Sequence, residues 1–211
     1  TIILGVLPLA VFDLSIIGWD EPNMYLTYSV INKDENHDSK KVQSKNGRKA
    51  LSYAAEKYGI DMNKCTFEII KNEGGKIIDS EGEFIASASI SHSKPYSFAV
   101  IGPRNCSIGI DVEPSNRIVG KEVLKYIDTS IDEKELQNDD LISIWTQKEA
   151  LVKAAGHGLS IAKNVSLFNG KWVFAHMIYS TSHWEFDLNG NNFQIALAKK
   201  LNHSAHMVDG I

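Results

Sequence analysis

Cysteine is scarce in this chain, with only Cys65 and Cys106 among 211 residues. Two cysteines cannot form the disulfide framework of a small secreted domain, nor can they supply a cysteine-rich zinc site. Proteins that fold without disulfides are typical of reducing compartments. We therefore expect a cytoplasmic protein.

Positive charge is not in excess either, because the formal net charge is -4 at pH 7. Overall charge gives no attraction to nucleic acid or to anionic membranes, and neither is expected as a partner. An anionic ligand would have to be held by a local cluster of basic residues. Hydrophobic residues make up 43% of the chain and charged residues 23%, which is ordinary for a globular protein.

Uninterrupted apolar runs are short. The opening stretch, residues 1–19, is rich in aliphatic side chains but lacks basic residues at its start, and Pro8 and Asp13 interrupt it. A signal peptide needs a basic start, and a membrane span needs about 20 apolar residues in succession. We expect one or two buried strands here instead.

Helical and strand-like patterns occur in both halves of the chain. Helical spacing of apolar residues appears in 48–59, where Gly59 is a candidate C-cap, and in 140–156. Ser130 and Glu133 have the spacing of a capping box. Strand-like segments follow at 65–70, 84–93, 96–102, 165–168, 171–175, 183–188 and 193–198.

Turn signals separate these segments. Asn169 and Gly170 predict a tight hairpin, and Gly74 with Gly75 predicts a turn. Residues 102–106 are expected to join their flanking strands as a further hairpin. Helix and antiparallel strand are mixed in each half, which predicts an α+β fold of two similar lobes.

The stretch SIGIDVEPSNR, residues 107–117, places two carboxylates inside a strand pattern. Aliphatic residues alternate with Gly109, Asp111 and Glu113, so the two acidic side chains share one face of the strand. Their Cα atoms would lie about 6.5 Å apart, close enough for both side chains to reach one cation. Taken alone, such a pair is more often a solvated strand face.

Glu149 and Lys153 are one helical turn apart in the longest helical pattern. Glutamate four residues before lysine is the favourable order for a surface ion pair, and that is the ordinary interpretation of the pair alone. The complete set is more specific. Three carboxylates, a helix lysine and the segment Ser91–His92 are the residue types that a magnesium–diphosphate site requires.

Two segments resemble the signature sequences of the 4′-phosphopantetheinyl transferases, in particular the longer type that activates surfactin synthetase. IGIDVE matches the first, and WTQKEALVKAAGHGLS matches the second. The family pattern WxxKE(A/S)xxK is met at Trp145, Lys148, Glu149, Ala150 and Lys153.

Weaker similarity extends from about residue 31 to 169. ISHS, residues 90–93, is similar to the family's N-(I/L)-S-H-S segment, with Ser89 in the place of the asparagine. GGKI, residues 74–77, stands where a Gly-Lys-Pro is usual, with Ile77 in the place of the proline.

The resemblance implies an α+β pseudo-dimer of two similar lobes, each a small antiparallel sheet packed with helices. Residues 1–104 would form the N-terminal lobe with the coenzyme A-binding Ser-His segment. Residues 105–211 would form the C-terminal lobe with the metal site and the motif helix. Length favours this arrangement over the short trimeric type, so a monomer is expected.

The resemblance also implies a reaction. Phosphopantetheine would move from coenzyme A to a serine of an apo acyl or peptidyl carrier protein, with release of adenosine 3′,5′-bisphosphate. The carrier could serve fatty acid, polyketide or nonribosomal peptide synthesis.

The resemblance implies roles for individual residues as well. Mg²⁺ would be bound by Asp111, Glu113 and Glu149. Glu149, or a metal-bound water that it orients, would be the base. Lys153 would be catalytic beside it, and the coenzyme A contacts would be Arg48, Lys76, Ser91, His92 and Lys153.

Two other interpretations stay open. The same acidic cluster could serve a metal-dependent phosphohydrolase that needs no carrier protein. Alternatively, the chain could be a degenerate, non-catalytic module that binds coenzyme A or a carrier protein. Ser89 and Ile77 favour that second alternative, whereas the complete metal-binding set argues against it.

Overall fold

The computed structural model describes residues 2–4, 11–13, 23–127, 138–168 and 171–201. Within these ranges the strands form two sheets. The first sheet is antiparallel and has the strand order β2-β3-β7-β6-β5-β4. Its strands are β2 (Val11–Asp13), β3 (Tyr25–Val30), β4 (Thr66–Ile70), β5 (Gly74–Ile78), β6 (Phe84–Ser93) and β7 (Tyr96–Pro103).

The second sheet has the order β8-β12-β11-β10-β9. These strands are β8 (Ile108–Pro114), β9 (Ser166–Phe168), β10 (Lys171–Phe174), β11 (Met177–Leu188) and β12 (Asn191–Lys200). They are antiparallel, and β1 (Ile2–Leu4) adds a parallel pairing with β11. The first residues of the chain thus pair with the sheet that the last strands form. Two short strands, β1 and β2, thus lie in residues 1–19, where one or two were expected.

Three α-helices accompany the sheets in the described ranges: α1 (Lys40–Tyr58), α2 (Lys121–Leu124) and α3 (Asn138–Ala154). Ser39 caps the start of α1 by accepting from the Val42 amide, and Gly59 ends it with φ 87°, so the predicted C-cap is confirmed. Gly59 takes this left-handed conformation without steric cost. The helices and sheets confirm the predicted α+β class. None of the described helices is long and apolar enough to cross a membrane.

The two sheets pack face to face and share one apolar core. Alternation along the strands produces this, because every second side chain of a strand points to the same face. The core includes Leu26, Tyr28, Phe98 and Val100 from the first sheet. The second sheet contributes Ile108, Ile110, Val112, Phe186, Leu188, Phe193, Ile195 and Leu197.

Residues 102–106 do not form the expected hairpin. β7 belongs to the first sheet and β8 to the second, so this connection carries the chain from one sheet to the other. The reason is that β7 already pairs on both sides, with β3 and with β6, whereas β8 pairs with β12 in the second sheet. The capping box expected at Ser130 and the turn at Asn169–Gly170 lie outside the described residues.

Helix α3 lies directly over β8. A Cβ atom on Gly109 would be 1.9 Å from the carbonyl oxygen of Ala150 and 2.5 Å from the nitrogen of Ala154. Only a residue without a side chain allows the helix to come this close. The glycine of the acidic strand therefore sets the distance between the strand and the helix above it.

Candidate active site

Strand β8 presents its carboxylates on the side away from the shared core. Ile110 and Val112 are buried in that core, so Asp111 between them points to the opposite face, toward α3. Asp111 is only 3% exposed. The alternative of a solvated strand face is therefore wrong for this residue.

Glu149 on α3 completes an acidic cluster with the two strand carboxylates. Each of Asp111, Glu113 and Glu149 offers an oxygen that lies within 4.8 Å of the other two. The predicted strand and the predicted helix thus bring these three side chains to one point.

Lys153 is held against the acidic cluster by two partners. Its Nζ lies 2.7 Å from Asp111 Oδ1 and 3.2 Å from Ser91 Oγ. Ser91 in turn donates its proton to Asp111 Oδ1 at 2.9 Å. Lys153 therefore pairs with a carboxylate of β8, so the ordinary interpretation as a surface pair with Glu149 is wrong.

The side chains of β6 attach β8 to the first sheet. Ser89 Oγ accepts from the Ile110 amide at 3.1 Å, and Ser91 Oγ accepts from the Val112 amide at 3.2 Å. Two serine hydroxyls thus bind the amides on either side of Asp111. Ser89, like Ser91, therefore has a structural role in attaching β8 to β6.

Burial and mutual repulsion raise the pKa values of two carboxyl groups in the acidic cluster. Burial, followed by the negative charge of Asp111, raises the pKa of Glu149 to about 8. The same two causes raise the pKa of Glu113 above its ordinary value. Carboxyl groups whose pKa is perturbed by burial and by a specific charged neighbour are typical of functional sites.

Arg117 is part of this site although sequence analysis did not identify it. Its guanidinium forms an ion pair with Glu113, four residues earlier, and the negative charges of Glu149 and Asp111 also act on it. In the sequence, Arg117 follows Pro114 by three residues, within the stretch 107–117. A basic residue so soon after the acidic pair is the feature from which its role could have been predicted.

His92 lies next to this group on β6. Its imidazole is exposed, and Nδ1 lies 2.8 Å from Ser97 Oγ. Desolvation, followed by the positive charge of Lys153, lowers the pKa of His92. Both effects favour the neutral ring, and the ring is near enough to Lys153 for their charges to interact.

Lys76 is placed differently from the other predicted ligands. Its ammonium group is buried and donates to Ser87 Oγ, to the carbonyl of Arg104 and to the carbonyl of Cys106. Burial lowers the pKa of Lys76. These three acceptors use all three ammonium hydrogens and attach the connection between the sheets to β5.

Arg48 lies on the exposed side of α1. With Lys41, Ser44 and Lys45 it lines an open pocket of about 320 Å³. Among the described residues, neither Arg48 nor Lys76 forms a hydrogen bond or ion pair with the three carboxylates. The structure thus groups Ser91 and Lys153 with the acidic cluster, places His92 beside them and leaves the other two basic residues apart.

The donor set fits a divalent cation. Asp111 Oδ2 is buried and has no hydrogen-bond partner among the described residues. A buried carboxylate oxygen without a partner is costly unless something binds it. Carboxylate oxygens are also the ligands that Mg²⁺ prefers. An ion among Asp111, Glu113 and Glu149 would supply that partner.

Residues 107–198 match the family model of the 4′-phosphopantetheinyl transferase superfamily. The match starts just before β8 and ends within β12, so it includes the strand and the helix that carry the acidic cluster. This part of the chain, rather less than half of it, is therefore similar to that superfamily. A search of curated proteins found no matching relative.

Proposed function

We propose that this protein transfers 4′-phosphopantetheine from coenzyme A to a serine of an apo acyl or peptidyl carrier protein. Adenosine 3′,5′-bisphosphate is the second product, and the reaction depends on Mg²⁺. We place the chain with the longer, surfactin-synthetase-activating type of the superfamily. The observation that carries the proposal is the acidic cluster with Lys153 bound beside it.

In this proposal Mg²⁺ would be held by Asp111, Glu113 and Glu149. When bound, the ion would offset negative charge on the diphosphate of coenzyme A. The unpartnered oxygen of Asp111 supports this role. Lys153 would act on the same diphosphate, stabilising charge on the oxygen that leaves with adenosine 3′,5′-bisphosphate.

Glu149 is our candidate for the general base. The serine oxygen of the carrier forms a bond to the phosphorus of the phosphopantetheine group, and the bond from that phosphorus to the bridging oxygen breaks. The serine proton moves to the base. Glu149 belongs to the acidic cluster, and a carboxylate there can accept this proton directly or through a water that it orients.

The remaining coenzyme A contacts are assigned by position. Ser91, His92 and Lys153 would bind oxygens of the diphosphate, because they lie at or beside the acidic cluster. Arg48 would reach the 3′-phosphate from α1, with Lys41 and Lys45 on the same pocket. Lys76 would have to exchange one of its present acceptors for a phosphate oxygen.

We propose two lobes, residues 1–104 and 105–211, with the site at their junction; β1 (Ile2–Leu4) then belongs to the first lobe in sequence but pairs with β11 of the second. The serine bonds from β6 to β8 support this arrangement. A monomer suffices, since one chain supplies all the residues of the site. The low cysteine content supports a cytoplasmic location.

The test is to incubate the purified protein with coenzyme A, Mg²⁺ and a panel of apo carrier proteins, and to measure intact carrier masses. We expect a gain of one phosphopantetheine group that is lost with EDTA and in Glu149→Gln. The matched control is Glu56→Gln, which removes an exposed carboxylate of α1 and should retain full transfer.

Other outcomes would point to the other interpretations. Coenzyme A binding without mass gain on any carrier would favour the non-catalytic binding module. Release of 4′-phosphopantetheine to water without a carrier would favour a phosphohydrolase. Either result would overturn the proposed transfer.

A further inference from the structure

A row of polar side chains crosses the first sheet beneath α1. Ser29 on β3 is directly opposite Ser97 on β7, and Ser97 is directly opposite His92 on β6. Opposed residues project from the same face of a sheet. Asn46 of α1 lies against this row, and Asn46, Ser29 and Ser97 are all buried. The row thus connects the inner surface of α1 to the exposed imidazole of His92.

The hydrogen bonds of this row have one consistent direction. Asn46 Nδ2 donates to the carbonyl oxygen of Ser29 at 3.1 Å, and a carbonyl can only accept, which fixes the orientation of the amide. The other hydrogen of Nδ2 is donated to Ser97 Oγ at 2.9 Å. Ser97 therefore accepts from Asn46 and has its single proton available for His92 Nδ1, 2.8 Å away.

The reverse direction is unfavourable. If His92 carried its proton on Nδ1 and donated it to Ser97, the buried Ser97 proton would have no acceptor among the described residues. A buried hydroxyl that cannot donate loses its hydrogen bond without compensation from water. The network therefore selects the ring with an unprotonated Nδ1.

Packing against α1 also fixes the ring. A Cβ atom on Gly47 would lie 2.6 Å from His92 Cε1 and 2.9 Å from Ile90 Cγ2. The absence of a side chain at Gly47 thus leaves the space that the imidazole occupies. The ring is held by a hydrogen bond on one nitrogen and by helix packing beside Cε1.

We propose that Asn46 and Ser97 are positioning residues that hold His92 in its Nε2–H tautomer, so that the ring presents a fixed hydrogen-bond donor to a phosphate oxygen of coenzyme A. The identity of the ligand rests on the proposed function, whereas the tautomer does not. A donor fixed before binding loses less conformational freedom when the ligand arrives. The network thus makes Ser97 and Asn46 part of coenzyme A recognition without contact to the ligand.

The first test is the tautomer of His92 by long-range ¹H–¹⁵N NMR on the full-length protein. We expect Nε2 to have the signal of a protonated ring nitrogen and Nδ1 that of an unprotonated one. In Ser97→Ala both ring nitrogens should shift toward a mixture of tautomers. Thr27→Val is the matched control. It removes another buried hydrogen bond between the first sheet and α1, from the Thr27 hydroxyl to the Ala50 carbonyl. The His92 signals should be unchanged in this variant. A protonated Nδ1 in the wild type would overturn the proposal without need of any variant.

The second test is a double-mutant cycle on coenzyme A affinity. Loss of one hydrogen bond of ordinary strength predicts that Ser97→Ala binds about 2- to 12-fold more weakly, and Thr27→Val should bind as the wild type does. In a His92→Ala background, Ser97→Ala should have no further effect, because its influence passes through the ring. Additive losses would show a merely structural role for Ser97 and overturn the proposal. If coenzyme A does not bind the wild type, the proposed function fails and the NMR result alone decides the tautomer.

Discussion

Lys153 and Asp111 come from different elements, 42 positions apart, and form an ion pair of 2.7 Å between Nζ and Oδ1. The Asp111 side chain is 4% exposed and the Lys153 side chain 30% exposed. A buried carboxylate whose cation is removed loses most of the interaction that offsets its burial. The pair therefore stabilises the metal-free protein as well as the site.

Lys153→Met should destabilise the metal-free protein by about 1–3 kcal/mol, a value reduced from the fully buried case because Lys153 is partly exposed. Urea unfolding in EDTA measures this. The control is Lys94→Met, which breaks the exposed pair with Asp38 and should change the free energy of unfolding by less than about 1 kcal/mol. Equal losses in the two variants would contradict the account.

Glu149 should make the metal-free protein less stable as pH rises. In the unfolded chain this carboxyl ionises near its ordinary pKa of 4.5, whereas in the fold the pKa is raised to about 8. Between these two pH values the folded protein binds one proton more at Glu149 than the unfolded chain does. The stabilisation that comes from this proton is complete below pH 4.5 and is lost as pH rises through about 8. Thermal unfolding in EDTA should therefore show a Tm that falls over this range, and less steeply in Glu149→Gln. Identical slopes in the two proteins would be inconsistent with the raised pKa.

Gly109→Ala should separate α3 from β8. The added methyl group would lie 1.9 Å from the Ala150 carbonyl oxygen, so the helix must move and the fold should lose about 1–3 kcal/mol or more. The control is Gly158→Ala, where no atom lies within 4 Å of the new Cβ and φ is −84°. Urea unfolding compares the two. An unchanged stability of Gly109→Ala would show that strand and helix are not in close contact.

Arg117→Gln should tighten the binding of a divalent cation severalfold. Arg117 forms an ion pair with Glu113, so its positive charge competes with the ion for one of the three carboxylates. Titration calorimetry with Mn²⁺ as the probe measures the change. Arg104→Gln is the control, because Arg104 is an exposed arginine whose carbonyl accepts from Lys76 and Ser87, away from the three carboxylates. Weaker Mn²⁺ binding in Arg117→Gln would mean that Arg117 positions Glu113 rather than competing for it.

Local sequence patterns were sufficient to predict the strands and the helix that carry the site. Strand 84–93 was predicted with the bounds of β6, and the alternation in 108–113 placed Asp111 on the face opposite the core. Both follow from the two-residue period of a strand. The three carboxylates meet as expected because one strand and one helix carry them.

The missed features depend on contacts between distant parts of the chain. The turn predicted around Gly74 and Gly75 is present at residues 71–73 and leads into Gly74, whose φ is 79°. The close packing of β5 was not predicted: a Cβ on Gly75 would lie 2.2 Å from the Ala88 carbonyl oxygen. A strand packed this closely needs a glycine, and nothing in the local sequence shows the neighbour. The pairing of Lys153 with Asp111, and of Asn46 with Ser97, likewise has no local pattern. A helical spacing rule relates Lys153 only to Glu149.

The central claim is that one divalent cation, held by Asp111, Glu113 and Glu149, binds the diphosphate of coenzyme A. The most direct measurement is a crystal structure with Mn²⁺ and coenzyme A, using the anomalous scattering of manganese. The account predicts one strong peak within coordination distance of all three carboxylates and of a diphosphate oxygen. A diphosphate bound elsewhere, or no peak among these residues, would contradict it.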